Sequence, residues 1–261
     1  MHVKLGDIDV TYRKAGSGVP CVLIHGLAED HSSWRNVQSD LQGVESYAYD
    51  LRGHGETTLG QPDNSLEQLG QDLIAFLETV TGPAICVGFS LGGTSVLWAA
   101  HKRPDLVKDA IVVGTSSKVG RAAVGFFEER IQQVTDDKPA FAAALKNDTA
   151  AQLAQQHADL DAIAAQRLRA VGSGGGYINA ARAMIALSAE PLTPILAGIK
   201  TPVALIGGEK DAFCPRKAAD IILEQIPSAQ FQEIPDAGHL MRVDQPKLYS
   251  AAIQQAITRK P

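Results

Sequence analysis

Two patterns of hydrophobic and polar residues follow one another along the first part of the chain. Short continuous apolar runs occur at residues 20–24, 84–87 and 110–113, and such runs are typical of strands covered on both faces. Residues 65–80 carry Leu and Phe side chains at the spacing of an amphipathic helix, and residues 8–13 alternate as in a half-buried strand. This succession of strands and helices predicts a mostly parallel sheet with helices on both faces.

The pattern changes after residue 114. Residues 115–193 are rich in Ala, Gln, Asp and Arg and show helical spacing without a clear strand. The strand pattern resumes at residues 201–208 and 230–234. We therefore predict a core formed by residues 1–114 and 194–261, with a helical segment inserted after the sixth strand. Because the insertion is short for an independent domain, we expect it to cover the carboxyl edge of the sheet as a cap.

Composition and charge narrow the class of protein. The chain has 261 residues, of which 45% are hydrophobic and 20% charged, which suits one large α/β domain. A net charge of -5 and the lack of a basic stripe argue against a nucleic-acid partner. No apolar run approaches the ~20 residues that span a bilayer, and the N-terminus lacks the apolar core of a signal peptide. We expect no membrane partner and a cytoplasmic location.

The cysteines do not indicate a metal site. The chain has three cysteines and no C-x-x-C pair, and its histidines show no ligand spacing. Cys21 and Cys86 lie in apolar runs and are interpreted as small buried hydrophobic residues. We expect no metal and free thiols, as in a reducing compartment.

The motif Gly88-x-Ser90-x-Gly92 stands where a predicted strand turns into a predicted helix. In that setting G-x-S-x-G acts as a nucleophile elbow, a strained turn that projects the serine hydroxyl from the end of the sheet. The alternative is a glycine-rich turn whose serine only caps the helix. The five residues alone do not distinguish the two interpretations. Other residues that could activate Ser90 must be found elsewhere in the chain.

Two candidate partners follow later predicted strands. Asp211 and His239 come after the strands that end near residues 208 and 234, and the carboxyl ends of parallel strands share one edge of the sheet. A serine hydroxyl needs a base to take its proton, a role that fits His239. A carboxylate must orient the imidazole, and Asp211 fits. Glu209 and Asp236 lie nearby as alternative acids.

The chain resembles the α/β-hydrolase superfamily over nearly its whole length. The motifs that carry the resemblance are His25-Gly26, Asp50-x-Arg52-Gly53-His54-Gly55, Gly88-Phe89-Ser90-Leu91-Gly92, Gly208-Glu209-Lys210-Asp211 and Ala237-Gly238-His239. The resemblance implies the α/β-hydrolase fold, with an eight-stranded, mostly parallel sheet, an antiparallel second strand and a variable cap after the sixth strand. The superfamily's alternative acid follows that sixth strand, where this chain has no carboxylate.

The resemblance also assigns residues around the proposed nucleophile. The backbone N–H groups of Leu27 and Leu91 would form an oxyanion hole, and His25 would be structural, hydrogen-bonded to backbone. Glu29 and Asp30, which follow Leu27, are interpreted as solvated loop charges.

These features predict a hydrolase that cleaves a carboxylic ester or lactone of a small metabolite through a serine acyl-enzyme. Serine at position 90 disfavours epoxide hydrolases and haloalkane dehalogenases, which need aspartate there. Residues 176–202 are diffusely similar to the 3-oxoadipate enol-lactonase and small-esterase group. The alternatives are an amide or carbon–carbon bond hydrolase with the same triad, or a ligand-binding receptor on the hydrolase fold. No cofactor is expected, and the expected partner is a small-molecule substrate.

The sequence of the predicted cap does not identify the substrate. It holds five arginines that are relevant to charge recognition: Arg121, Arg130, Arg167, Arg169 and Arg182. An arginine that reached the cleft would bind a substrate carboxylate, whereas most arginines on such helices face water. An all-apolar cleft would instead favour simple esters. Neither the substrate nor the oligomeric state follows from the sequence.

Overall fold

An eight-stranded sheet forms the centre of the computed structural model, which describes residues 1–156 and 159–259. The strands are β1 (His2–Leu5), β2 (Ile8–Gly16), β3 (Val19–Ile24), β4 (Val44–Tyr49), β5 (Ala84–Phe89), β6 (Val107–Val113), β7 (Val203–Gly208) and β8 (Gln230–Ile234). Their order in the sheet is β1-β2-β4-β3-β5-β6-β7-β8. Strand β2 pairs antiparallel with β1 and β4. The remaining neighbours in the sheet, from β4 through β3, β5, β6 and β7 to β8, pair in parallel. The predicted fold class is confirmed.

Helices connect the strands and flank the sheet. They are α1 (Arg35–Asp40), α2 (Leu66–Phe76), α3 (Leu91–Lys102), α4 (Arg121–Asp136), α5 (Lys138–Ala151), α6 (Leu160–Val171), α7 (Gly175–Ala186), α8 (Thr193–Leu196), α9 (Arg216–Gln225), α10 (Met241–Asp244) and α11 (Pro246–Thr258). A 3₁₀ turn, His31–Trp34, precedes α1, and a π turn, Leu77–Thr81, follows α2. No helix in the described part of the chain combines the length and apolar character needed to cross a membrane.

The two faces of the sheet bury separate hydrophobic clusters. Along β5, Cys86 belongs to the cluster that includes α2, α3 and α9, whereas Val87 belongs to the cluster that includes α1 and α11. Neighbouring residues of a strand point to opposite faces, so a strand covered on both faces needs an unbroken apolar run. This explains why the central strands were visible in the sequence. Cys21 and Cys86 are fully buried free thiols, as expected.

Helices α4 to α7 occupy the segment between β6 and β7 that the sequence marked as an insertion. Val134, Phe141 and Tyr177 from these helices form a third buried cluster together with Ala28, which follows β3. The insertion therefore packs against the loop at the carboxyl end of β3. Among the described residues of 115–193 there is no strand, in agreement with the sequence pattern.

Candidate active site

Ser90 lies between the last residue of β5 and the first residue of α3, with backbone angles φ 52° and ψ -118°. A positive φ is costly for a residue with a Cβ, by about 1–3 kcal/mol, and such strain concentrates at functional positions. The turn is held by its neighbours: the Ser90 N–H donates to the carbonyl of Val113 (2.8 Å), and the Ser90 carbonyl accepts from the N–H of Thr94 (3.1 Å). Its side chain is half-buried and lines a cavity.

The two motif glycines allow the chain to turn this sharply. A Cβ built on Gly88 would lie 2.4 Å from the carbonyl carbon of Gly92, and one built on Gly92 would lie 2.4 Å from the carbonyl oxygen of Ile24 in β3. Backbone atoms cannot move aside for such a contact without disturbing the sheet. The G-x-S-x-G spacing is therefore a steric requirement of this strand-to-helix turn.

His239 lies within hydrogen-bond distance of both other candidate residues. Its Nε2 is 3.2 Å from Ser90 Oγ, and its Nδ1 is 2.8 Å from Asp211 Oδ2. The centroid of the imidazole ring is 5.0 Å from that of the Phe89 ring and 5.6 Å from that of the Phe213 ring. With Nδ1–H donating to Asp211, Nε2 is left to accept the serine proton. The arrangement can perform base-assisted nucleophilic attack.

Asp211 follows β7 in a turn that fixes its carboxylate. Oδ1 accepts the N–H groups of Phe213 (2.9 Å) and Cys214 (2.8 Å), which leaves Oδ2 for His239. Burial of the carboxyl raises its pKa, but the attraction of His239 and these hydrogen bonds outweigh burial, so that the pKa of Asp211 lies below its ordinary value. The carboxylate therefore stays ionised at neutral pH.

The alternative acids point elsewhere. Asp236 is exposed and pairs with Lys210 (2.6 Å), and Glu209 accepts the backbone N–H of Asp236 (2.9 Å). Neither carboxylate contacts His239 in the described structure. Of the three nearby acids, only Asp211 has the geometry of an orienting group.

Leu27 and Leu91, the two expected oxyanion-hole residues, line the same cavity as Ser90 and His239. Leu91 is the first residue of α3, so its N–H has no acceptor within the helix. Leu27 lies in a tight turn before Ala28, whose φ is 58°. His25 below this turn is fully buried; its Nε2 accepts the N–H of Leu51 (2.9 Å), and its Nδ1–H donates to the Gly26 carbonyl (2.8 Å). The prediction that His25 is hydrogen-bonded to backbone is confirmed.

A cavity of about 370 Å³ lies between these residues and the inserted helices. Its walls are mostly apolar and include Val119, Ala123, Phe126, Phe127, Met184 and Phe213. The polar side chains that line it, apart from Ser90 and His239, are Ser116, Lys118, Asp148, Gln152 and Tyr177. The cavity can hold a small, largely apolar molecule next to Ser90.

None of the five arginines of the insertion lines this cavity. Arg130 donates two hydrogen bonds to the carboxylate of Asp148 (2.7 and 2.9 Å). Arg167 is buried and donates to the Thr149 hydroxyl (2.9 Å) and the Leu27 carbonyl (3.4 Å). The possibility that an arginine of the insertion reaches the cleft to bind a carboxylate is not supported by these contacts.

One sequence-based interpretation is wrong. Glu29 is not a solvated loop charge: it is 3% exposed, and its Oε1 accepts two hydrogen bonds from Arg242 (2.8 and 3.1 Å). The error has a physical origin, because Glu29 follows a turn, where charges are usually solvated, and its partner lies 213 positions away. Asp30 does behave as an ordinary capping residue, since it accepts the N–H of Ser32 (2.9 Å).

Three polar residues that line the cavity were missed by sequence reasoning. Asp148, Gln152 and Tyr177 belong to the insertion, where helical spacing was weak and gave no orientation. The only available signal was the four-residue separation of Asp148 and Gln152, which places two polar side chains on one face of a helix.

Fold and site together define a class: α/β proteins with a serine at a strand-to-helix turn and a His–Asp pair at the adjoining strand ends. The model of the alpha/beta hydrolase fold family matches residues 19–246. The chain belongs to this family, and the predicted superfamily resemblance is confirmed.

Curated relatives match almost the full length of the chain. It is 27% identical over 262 residues to 3-oxoadipate enol-lactonase 2 of Acinetobacter baylyi, covering 97% of this chain and 94% of that protein. It is 25% identical over 265 residues to 2-(acetamidomethylene)succinate hydrolase of Mesorhizobium japonicum, covering 98% and 94%. The names of these two relatives refer to different substrates, so the comparison supports hydrolase chemistry without selecting a substrate.

Solved structures show the same fold. An enol-lactonase from Burkholderia xenovorans LB400 superposes with a TM-score of 0.87 at 20% identity, covering 99% of this chain and 100% of that one. A thermophilic esterase from Thermogutta terrifontis superposes with a TM-score of 0.84 at 23% identity, covering 98% of both chains.

Proposed function

We propose that this chain hydrolyses a carboxylic ester or lactone of a small metabolite through an acyl-enzyme on Ser90. The observation that carries the proposal is the position of His239, with Nε2 3.2 Å from Ser90 Oγ and Nδ1 2.8 Å from Asp211 Oδ2. A base in hydrogen-bond contact with both its nucleophile and an orienting carboxylate is the arrangement that activates a serine.

The acylation step follows from these contacts. His239 Nε2 takes the proton of Ser90 as Oγ attacks the substrate carbonyl carbon, and Asp211 stabilises the imidazolium that forms. The N–H groups of Leu27 and Leu91 donate to the carbonyl oxygen, on which negative charge develops. The carbon–oxygen bond of the ester then breaks, and the leaving alkoxide takes the proton from His239. An acyl group remains bound to Ser90.

Deacylation uses the same groups with water as nucleophile. His239 removes a proton from water, the resulting hydroxide attacks the acyl carbon, and the proton passes to Ser90 Oγ as the acyl–serine bond breaks. Water is the second substrate, and the proposed reaction needs no cofactor. A lactone is a cyclic ester, so its acyl and alcohol parts stay joined when the ester bond breaks. Deacylation then releases a single hydroxy acid.

We propose further that the inserted helices act as a cap that selects the substrate. They supply part of the apolar wall, including Phe126, Phe127 and Met184, whereas Lys118 is exposed and lies in the loop before α4. The mostly apolar wall favours an uncharged acyl group. The enol-lactonase and esterase names of similar proteins support ester or lactone chemistry. No arginine is among the described lining residues, and Lys118 is the lysine among them.

Covalent labelling of Ser90 tests the proposal directly. Folded protein is incubated with a fluorophosphonate, and the labelled residue is identified by peptide mass spectrometry. We expect stoichiometric labelling at Ser90, no labelling of Ser90→Ala, and strongly reduced labelling of His239→Ala. A panel of small esters, lactones and amides then defines the bond cleaved. An unlabelled Ser90 in folded protein contradicts the proposal.

The same panel separates the alternative functions. Release of an amine or cleavage next to a ketone identifies an amide or carbon–carbon bond hydrolase with the same triad. A single slow turnover, together with a ligand-induced rise in melting temperature, identifies a receptor. The expected partner is a small molecule, with neither nucleic acid nor membrane involved.

A further inference from the structure

Arg167, in helix α6 of the insertion, is a buried cation that contacts only uncharged groups among the described residues. Its side chain belongs to a residue that is 5% exposed. Nη1 donates to the Thr149 hydroxyl (2.9 Å), and Nη2 donates to the Leu27 carbonyl (3.4 Å). Nε is enclosed and has no acceptor within the described structure. The guanidinium is therefore placed against two neutral oxygens rather than against a carboxylate.

A second buried arginine shows how unusual this placement is. Arg52 is 4% exposed and bonds to the carboxylates of both Asp7 and Asp72. Burying a charge is costly unless the charge is paired, and Arg52 follows that rule. Burial lowers the pKa of Arg167, and the attraction of Glu29 does not fully offset it. Arg167 is thus kept at a cost to stability, and its two contacts indicate what it does.

The Leu27 carbonyl that Arg167 contacts belongs to the turn proposed to bind the oxyanion. In the peptide before Leu27 Cα, the Gly26 carbonyl accepts from His25 Nδ1–H (2.8 Å). A trans peptide directs its C=O and its N–H to opposite sides, so the Leu27 N–H points away from His25. In the peptide after Leu27 Cα, the carbonyl accepts from Arg167. His25 therefore restrains the backbone before the proposed donor, and Arg167 restrains the backbone after it.

The peptide between Leu27 and Ala28 is held in a strained conformation. Ala28 has φ 58°, a region that a residue with a Cβ adopts at a cost. A half-turn of this peptide would take φ of Ala28 to the extended region and remove the strain. It would also turn the Leu27 carbonyl away from Arg167 and present the Ala28 N–H, a donor, to another donor. A cation at this position therefore opposes the rotation.

The insertion holds Arg167 in place. The Thr149 hydroxyl that accepts from Arg167 itself donates to the Leu145 carbonyl (2.6 Å), one turn earlier in α5, and α6 packs on α5. A donor is positioned precisely only when the groups that support it are themselves fixed. The restraint on the carbonyl side of Leu27 thus comes from the inserted helices.

We propose that Arg167 is a positioning residue for the oxyanion hole, which holds the Leu27 carbonyl and so keeps the Leu27 N–H directed at the substrate carbonyl oxygen. This inference rests on the proposed function, because it assumes that an oxyanion forms next to Ser90. Arg167 does not line the cavity, so it acts through Leu27 and does not touch the reacting atoms. In this scheme the insertion contributes to catalysis as well as to substrate selection.

A matched pair of phosphorus compounds measures the oxyanion hole separately from the nucleophile. Diethyl p-nitrophenyl phosphate presents a P=O oxygen to the N–H donors, whereas its phosphorothioate analogue presents sulfur, a weak acceptor. With both, Ser90 Oγ bonds to phosphorus, its proton passes to His239, and p-nitrophenolate leaves and is measured by absorbance. The oxygen preference is the ratio of the two rates, divided by the same ratio for hydroxide in water. We expect it to be well above one in the wild-type protein.

Variants of Arg167 then test its contribution. Arg167→Met removes the donor and keeps an unbranched side chain, and its oxygen preference should fall about ten-fold, part of the roughly 10²–10³ that loss of a whole oxyanion donor costs. The ratio does not depend on the amount of folded protein, because both compounds react with the same sample. If Arg167→Met does not fold, Arg167→Lys replaces it. Lysine keeps the charge but lacks the planar fork that spans Thr149 and the Leu27 carbonyl, so its oxygen preference should fall as well.

Arg52→Met is the matched control for a lost buried arginine. Arg52 bonds to two carboxylates and to the Leu59 carbonyl, none of which belongs to the oxyanion turn. The substitution should lower the melting temperature and keep the wild-type oxygen preference.

The possible outcomes separate the two proposals. A wild-type oxygen preference in the folded Arg167 variant overturns the positioning role and leaves the serine hydrolase intact. An equal fall in Arg52→Met also overturns it, because the ratio would then follow the loss of stability. So does an oxygen preference of one in the wild-type protein. If neither compound labels Ser90 in folded wild-type protein, the proposed function fails and the positioning role fails with it.

Discussion

Arg242 donates two hydrogen bonds, of 2.8 and 3.1 Å, to a single carboxylate oxygen of Glu29. Glu29 lies two residues after Leu27, and Arg242 lies three residues after His239. The pair therefore joins the loop proposed to hold the oxyanion to the loop that carries the proposed base. Burial raises the pKa of Glu29, but the attraction of Arg242 and Arg167 outweighs burial and holds this pKa below its ordinary value. One buried ion pair therefore connects the two loops.

Removing Arg242 is expected to destabilise the fold strongly. Arg242→Met leaves the Glu29 carboxylate buried without its main partner, and breaking a buried pair in this way costs about 3–5 kcal/mol. The free energy of unfolding is measured by urea denaturation. The control is Lys210→Met, which breaks an exposed pair with Asp236 and is expected to leave the midpoint nearly unchanged because water screens such pairs. Equal effects of the two substitutions would contradict the structural role of the Glu29–Arg242 pair.

Asp211→Asn is expected to impair catalysis far more than folding. An amide cannot stabilise the imidazolium and favours the wrong tautomer of His239, so kcat should fall by about 10³–10⁴ with little change in KM. The rate of phosphonate capture at Ser90 provides a measurement that does not depend on a known substrate. Asp236→Asn is the matched control, because Asp236 is close in sequence to His239 but bonds to Lys210. Similar losses in both variants would rule out the assigned role of Asp211.

The steric role of Gly92 gives a third prediction. A Cβ at this position would lie 2.4 Å from the Ile24 carbonyl and 2.6 Å from the His25 carbonyl, so Gly92→Ala should cost about 1–3 kcal/mol and slow phosphonate capture. Gly125→Ala in α4 is the control: nothing lies within 4 Å of its added Cβ, and alanine should stabilise that helix by about 0.5–1 kcal/mol. Thermal unfolding of both variants measures the two effects. A Gly92→Ala protein as stable as the wild type would show that the turn can relax.

Much of the fold was accessible from the sequence because its central strands are buried on both faces. The apolar runs of β3, β5 and β6 therefore stood out, and Ser90, Asp211 and His239 each follow a strand whose carboxyl end meets the same sheet edge. The geometry between their side chains agrees with that expectation. Helix boundaries were less accessible: the pattern at 65–80 corresponds to α2 followed by a π turn, Leu77–Thr81.

The rest of the site depends on contacts that have no local signature. Glu29 is buried because Arg242, at the other end of the chain, pairs with it, and neither residue alone indicates that. Arg130 was a candidate for substrate binding until the structure placed it on Asp148. The lining of the cavity depends on which face each inserted helix presents, and the weak hydrophobic spacing of α5 and α6 did not define a face.

His54 is expected to make the fold sensitive to mild acid. The residue is fully buried, its Nδ1 lies 3.2 Å from the Arg52 carbonyl, and its Nε2 has no partner in the described structure. Burial, together with the nearby His25, lowers the pKa of His54 from 6.5 to about 3. In the unfolded chain the imidazole takes up a proton near pH 6.5, whereas in the folded protein it remains neutral down to about pH 3. Its contribution to stability is therefore complete above pH 6.5 and declines as the pH falls towards 3, by up to about 1.4 kcal/mol per pH unit.

The free energies of unfolding of wild type and His54→Gln are compared at pH 7 and pH 5. The wild type should lose up to about 2 kcal/mol more than the variant over this interval, while His2→Gln, at an exposed position, should follow the wild type. Parallel pH profiles for wild type and His54→Gln would show that His54 does not stay neutral in the folded protein, because every other titrating group is common to both.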